Sequence, residues 1–276
     1  MTKAPSNLAM RLATAAVAVP VLLWLIYLAP PWAFFLLALG ASLIGAYELF
    51  GMTHARDGVS RGIGVALTAA ASLGVYFGAH DPRIVMTVLV LVPLAGPLVT
   101  LARLGKLATA ALRAFALSAG PLMIAVPLTL LALMRIGIRS GGSGYIVMTL
   151  MFAWFGDTGG YFAGRFLGKH KLYEAVSPKK TVEGASGGLG GTLVGALLAH
   201  FWYLPRIPLM HVLPLAVAAS AFGQAGGLAE SLVKRSTGVK DSGQIVPGHG
   251  GILDRVDALL FTSAVVFLYT LWRGST

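Results

Sequence analysis

Nine apolar stretches, near residues 8–29, 31–52, 60–79, 84–102, 107–137, 144–168, 184–204, 208–235 and 252–273, follow one another with only short polar breaks. Each is about 20 residues or longer, the length a helix needs to cross the hydrocarbon core of a bilayer. They are too long and too evenly apolar for the alternating strands of about 10 residues that build membrane barrels. A helix also satisfies its own backbone in lipid, which an isolated strand cannot do. The expected fold class is therefore all-α, a polytopic transmembrane helical bundle of about nine spans forming a single integral membrane domain over residues 1–276. Residues 1–140 supply the amino-terminal helices, and residues 141–276 form a second half that carries most of the charged motifs. A water-soluble domain is excluded by a chain that is 57% hydrophobic and 11% charged, because its apolar residues would have to cover its surface. The absence of cysteine removes disulfides, thiolate catalysis and cysteine metal sites.

The breaks are informative in their own right. Pro30 and Pro31 separate the first two stretches, and His80–Arg83 separates the third from the fourth. Gly120, Pro121 and Pro127 interrupt the fifth, so a kinked or divided segment is expected there, and counts of eight or ten spans stay open. The first stretch follows Lys3 and Arg11 as a signal peptide would, but it lacks a small-residue cleavage site and runs into another span, so it reads as a retained anchor. No internal repeat is visible, which weakens an inverted-repeat transporter reading. With the amino terminus in the cytoplasm, fifteen Lys and Arg residues fall inside and five outside, with Arg113 left within the fifth stretch. This positive-inside bias puts the loops 169–183 and 236–251 together on the cytoplasmic face.

Charge beside hydrocarbon is costly unless it is paired, hydrated or bound to an ion, so clusters of it are site hypotheses. The densest is Ser231–Asp257. Asp254 and Asp257, spaced i and i+3, share one face of the first turn of the last helix, where they serve either as dipole-compensating caps or as ligands. The preceding PGHGG, residues 247–251, offers backbone amides to an anion, with His249, Gly250 and Gly251 at its end and Arg255 adding a forked donor. Glu230 and Lys234 are spaced as an i, i+4 ion pair, while Arg235 and Lys240 read either as topology signals or as phosphate contacts beside Asp241. Carboxylates among cations and glycines suit a Mg²⁺-assisted phosphate site. A second cluster spans residues 154–188: Asp157 lies among Gly156, Gly159, Gly160 and Gly164, and Lys169, Lys171, Lys179 and Lys180 follow it. Asp157 alone could be a structural hydrogen-bond partner or a proton carrier. Glu48 ends the second span and reads as a snorkelling or arginine-paired carboxylate, with lining of the same cavity as the alternative. His54, His80, His200 and His211 show no metal-ligand spacing.

In order and spacing, Ser231, Lys234, Arg235, Lys240, Asp241, Pro247, His249, Gly250, Gly251, Asp254, Arg255 and Asp257 resemble the carboxyl-terminal signature of the phosphatidate cytidylyltransferase (CDP-diglyceride synthetase) family. DTGGYFAGRFLGKHKL, from Asp157, and SPKKT, from Ser177, are similar to that family's central region. The first 140 residues resemble it only in hydropathy. The resemblance implies a nucleotidyltransferase of phospholipid biosynthesis that converts phosphatidate and CTP to CDP-diacylglycerol and pyrophosphate. It implies Mg²⁺ or Mn²⁺, leaves room for a monovalent cation and a homodimer, and involves membrane lipid but no nucleic acid. Asp254, Asp257, Asp241 and Asp157 are then the expected metal ligands, with Asp241, Asp254, Asp257, Lys234 and Arg235 catalytic. Ser231, Lys240, His249, Gly250, Gly251, Arg255, Lys179 and Lys180 are expected to bind substrate. The implied location is a bacterial inner membrane with a cytoplasmic active site. Two positions depart from the pattern: Gly227 stands where an acidic metal ligand is expected, and Val182 where a Trp is expected. The competing readings are a membrane carrier of an anionic solute and a catalytically silent homologue that binds lipid or nucleotide.

Overall fold

The computed structural model describes residues 7–138, 141–243 and 250–273. Among them, nine helices answer the nine apolar stretches: α1 (Asn7–Tyr27), α2 (Pro31–Thr53), α3 (Gly58–Phe77), α4 (Pro82–Ala102), α5 (Ala110–Gly137), α6 (Gly142–Leu167), α7 (Val182–Leu198), α8 (Leu209–Ser236) and α9 (Leu253–Arg273). Seven helical segments are long and apolar enough to cross a membrane: α2, α3, α4, α5 with the turn from Leu107 before it, α7 with its continuation to Tyr203, α8 and α9. The described apolar part of α1 is shorter, Ala16–Tyr27, and α6 is diluted by glycines and Asp157. The chain is an integral membrane protein with an all-α bundle as its body.

Local chemistry explains the helix boundaries. Pro31 and Pro82 occupy first-turn positions, where a missing N–H costs nothing. Asp57, Asp81 and Thr181 cap α3, α4 and α7 by accepting the backbone N–H of Ser60, Arg83 and Gly184 at 3.1, 2.9 and 3.0 Å. The expected break in the fifth stretch does not occur. Helix α5 runs unbroken past Pro121 and Pro127, packed on α2, α3, α4 and α9, and most of its length is buried. That enclosure offsets the lost backbone hydrogen bonds. The loop 169–183 is also more ordered than expected, because β1 (Lys171–Tyr173) and β2 (Ser177–Thr181) pair as an antiparallel hairpin ahead of α7.

Helices α2 to α5 form one packed group and α6 to α9 another, joined where α5 meets α9 and α6. The closest pair is α6 with α7. There, Gly159 lies so near the backbone of Gly187 that a side chain at either position would clash. Small residues permitting backbone approach are the usual solution to helix packing in lipid. Trp24, Trp32, Trp202 and Trp272 are all more than half exposed and lie at helix ends on one face. They form an aromatic belt at one interface. The opposite face carries the loops between α2 and α3, α4 and α5, α6 and α7, and α8 and α9.

Candidate active site

On this loop-bearing face, the lower ends of α8 and α9 meet the β hairpin around a polar cavity of about 540 Å³. It is lined by Lys180, Glu230, Lys234, Asp241, Asp254, Asp257 and Arg255, among others. A second cavity of about 620 Å³ lies against it, between α6 and α7, and takes in Asp157, Lys179 and Gln224. The two share Lys180, Gly227 and Asp257 as their common wall. The structure thus brings together Asp157, Lys179, Lys180, Ser231, Lys234, Asp241, Gly250, Asp254, Arg255 and Asp257 from the residues expected to act. Arg235 and Lys240 line neither cavity, and the Arg235 guanidinium donates instead to the Val239 carbonyl at 3.2 Å. His249 lies outside the described residues, and Gly251 turns its amide inward to Asp254.

The two aspartates of the last helix divide their work. Asp254 is saturated: Oδ2 accepts from the amides of Ser242 and Gly251 at 3.0 and 2.9 Å, and Oδ1 accepts from the Lys234 ammonium at 2.6 Å. Lys234 also donates to Glu230 at 3.0 Å, so one ammonium bridges α8 and α9 through two carboxylates. All three of these side chains are nearly enclosed, at 9–11% exposure. Such a pairing needs its hydrogen bonds to repay the cost of desolvation. Asp257, by contrast, faces the shared wall. Its Oδ1 takes its neighbour's amide, from Ala258, at 2.7 Å, and its carboxylate lies beside that of Glu230. Two ionised carboxylates cannot donate to each other, and among the described residues the buried Oε1 of Glu230 has no hydrogen-bond donor.

Glu48 is neither snorkelling nor paired with an arginine. It reaches from α2 to the start of α9 and accepts the amides of Ile252 and Leu253 at 3.0 and 2.9 Å. It is 3% exposed and caps a helix it does not belong to. The Ser242 hydroxyl, 3.0 Å from both Glu48 Oε2 and Asp254 Oδ2, completes this knot. The sequence carried a signal for Glu48, since a carboxylate at the end of a span is a functional or structural hypothesis by default. Its partners, about two hundred residues away, were not readable.

At Gly227, an added Cβ would lie 2.6 Å from the Lys180 ammonium and 3.1 Å from Asp257 Oδ2. The position of the expected acidic residue therefore opens onto the common wall, and the end of Lys180 takes up the space. Burial draws the Lys180 ammonium below the usual lysine range, against the pull of Asp257, Asp157 and Glu230.

Among the described residues, no ready group of three or more His, Asp or Glu side chains could hold a metal ion. The donor set still fits Mg²⁺, which takes one or two carboxylates and completes its shell with water and substrate phosphate. Glu230, with an unsatisfied oxygen, and Asp257 provide that pair. Both residues also line a third, apolar chamber of about 210 Å³, walled by Leu49, Phe115, Met123, Leu232 and Phe261 among others. Phe115, Met123 and Leu232 are exposed on the outer surface, so this chamber lies next to lipid.

A family model described as the Cytidylyltransferase family matches residues 9–272. Among curated relatives, the phosphatidate cytidylyltransferase of Staphylococcus saprophyticus is 49% identical over 123 residues. Those of Staphylococcus haemolyticus and Staphylococcus aureus are each 46% identical over the same length. The match covers 45% of this chain and 47% of each relative, so the chain spans about half the length of the curated relatives it matches.

Proposed function

Since the chain belongs to the cytidylyltransferase family, we propose that it transfers the cytidylyl group of CTP to phosphatidate, giving CDP-diacylglycerol and pyrophosphate. The observation that carries the reading is the position of Glu230 and Asp257, which border both the polar basin and the apolar chamber. A water-soluble nucleotide and a lipid phosphate can meet there without the acyl tails leaving an apolar environment. In the reaction, a phosphatidate oxygen forms a bond to the α-phosphorus of CTP while the bond from that phosphorus to the pyrophosphate oxygen breaks. Positioning and charge neutralisation carry such a transfer.

Glu230 and Asp257 would hold Mg²⁺ or Mn²⁺, with Asp157 and Asp241 at the cavity walls able to add to the set. When bound, the metal supplies Lewis-acid stabilisation of phosphate charge. Lys180, on the shared wall, faces both cavities and neutralises phosphate oxygens. Lys234 and Asp254 fix α8 against α9, and so set the separation of Glu230 from Asp257. Lys179 and Arg255 offer further phosphate contacts from either side. The reading places the face bearing the basin in the cytoplasm, at a bacterial inner membrane, and the excess of Lys and Arg on that face supports it.

The test is release of pyrophosphate and formation of labelled CDP-diacylglycerol from radiolabelled CTP and phosphatidate by the purified chain, titrated with Mg²⁺. Activity should rise from near zero with metal. Uptake of an anionic solute by liposomes without nucleotide turnover would instead mark a carrier.

A further inference from the structure

A second charged cavity lies on the same face but outside the reaction basin. It measures about 680 Å³ and sits where the end of α2 and the start of α3 meet the connection from α4 to α5. Its charged lining is Arg56, Asp57, Arg103, Lys106 and Arg113, four cations against one carboxylate.

The cavity is built rather than incidental. Arg113 is 7% exposed and donates to the Leu104 carbonyl and to Asp57 Oδ2, both at 2.8 Å. Arg103 approaches the other oxygen of Asp57 at 3.0 Å. The loop closes over Arg113 because Gly105 adopts φ +59°, and a Cβ there would lie 2.7 Å from Arg113 Nη1. The single carboxylate is thus spent on holding two guanidinium groups in place, while Arg56 and Lys106 stand exposed on the rim with no carboxylate partner among the described residues. A fixed positive wall with free cations at its mouth, at the depth of the headgroups, is what recognises phosphate. Met52 and Thr53 line both this cleft and the apolar chamber, so a ligand with a phosphate and an acyl chain would find apolar surface beside it.

We propose that this cleft is a phosphate-binding site separate from the reaction basin, taking the phosphate of an anionic lipid headgroup or of a soluble phosphate compound. Arg113 and Arg103 form its wall, and Arg56 and Lys106 are the residues that close on the ligand.

The full chain, purified in neutral detergent without CTP, is titrated calorimetrically with dihexanoyl phosphatidylglycerol, with inorganic phosphate, and with dihexanoyl phosphatidylcholine as the zwitterionic control. The wild type should bind an anionic probe and not the control. The Arg56→Gln/Lys106→Gln double variant should bind it about tenfold or more weakly, with an unchanged unfolding temperature. Binding of phosphatidylglycerol alone assigns the site to a lipid headgroup, and equal binding of inorganic phosphate assigns it to a soluble ligand. Wild-type affinity in the double variant, or no anionic binding by the wild type, overturns the proposal. Neither readout depends on whether the chain turns over CTP.

Discussion

The reaction basin and the basic cleft share one face of the protein, yet they use charge in opposite ways. In the cleft, Asp57 is the minority charge and both its oxygens are committed to arginines. In the basin, four carboxylates stand against three cations, and among the described residues one buried oxygen, Oε1 of Glu230, has no hydrogen-bond donor. The cleft can attract an anion as it stands. On the proposed function the basin would first have to acquire a cation, and that ordering would separate a binding site from a metal-assisted one. The largest effect is therefore expected from removing the carboxylate on the shared wall. Asp257→Asn should lower cytidylyl transfer by about a thousandfold, measured with labelled CTP and phosphatidate, while leaving phosphate binding in the cleft unchanged. An active Asp257→Asn enzyme would move the catalytic centre elsewhere.

Next in size is the bridge that holds the basin's two helices together. Lys234→Met would leave Glu230 and Asp254 facing each other across a nearly closed space, with their shared cation gone. Breaking a buried pair in this way costs about 3 kcal/mol, seen as a lower unfolding temperature in detergent. Lys234→Arg should recover most of the loss. The corresponding change at the exposed rim of the cleft, Lys106→Met, should cost almost nothing, as exposed charges contribute little. Equal losses at the two sites would mean that the Lys234 ammonium is as open to solvent as that of Lys106.

Much of this arrangement was legible in sequence, for reasons that can be named. Hydropathy set the nine helices because lipid imposes one length and one backbone solution on every span. The division that proline allowed for at α5 does not occur, since the burial that makes Pro121 and Pro127 tolerable comes from neighbouring helices. The hairpin at residues 171–181 left no signal, being two short strands in a polar loop. In the site, the i, i+3 spacing of Asp254 and Asp257 placed both on one face but could not show that one is consumed by Ser242, Gly251 and Lys234 while the other faces the cavities. Glu230 read as half of a local ion pair, and only the fold put its free oxygen beside Asp257. The cleft was invisible because its residues come from two loops, joined through Asp57 and Arg113, 56 residues apart.

Gly227 sharpens the contrast further, because adding a carboxylate there makes the basin still more dependent on cations. Gly227→Asp would project toward Lys180 and Asp257, and the flexible end of Lys180 can withdraw to admit it. Mn²⁺ affinity, followed by the loss of the free-ion paramagnetic resonance signal, should rise about tenfold, equivalent to 1.4 kcal/mol. An unchanged affinity would show that Lys180 pairs with the new carboxylate and already supplies the positive charge at this position.

A further expected effect belongs to the cleft and depends on pH. His54 is 3% exposed and lines the cleft wall. The Thr53 hydroxyl lies 3.0 Å from the Leu49 carbonyl and 2.9 Å from His54 Nδ1, and among the described residues Nε2 is enclosed without a partner. Burial, and then the neighbouring Arg113, lower the His54 pKa to about 4, against the opposing influence of Asp57. The unfolded chain binds this proton more readily than the folded one, so acidification favours unfolding. Stability should fall as pH drops from about 6.5 to about 4 and level off below, with a loss of about 1.4 kcal/mol at pH 5.5. Asp57 does not confuse this window, because its hydrogen bonds from Arg103 and Ser60 outweigh burial and hold its carboxyl well below the ordinary range. Unfolding curves of wild type and His54→Gln should therefore diverge between pH 7 and pH 4.5, with the variant losing less. Parallel curves would mean that the histidine charges freely in the folded protein, and that the cleft wall is open to water at His54.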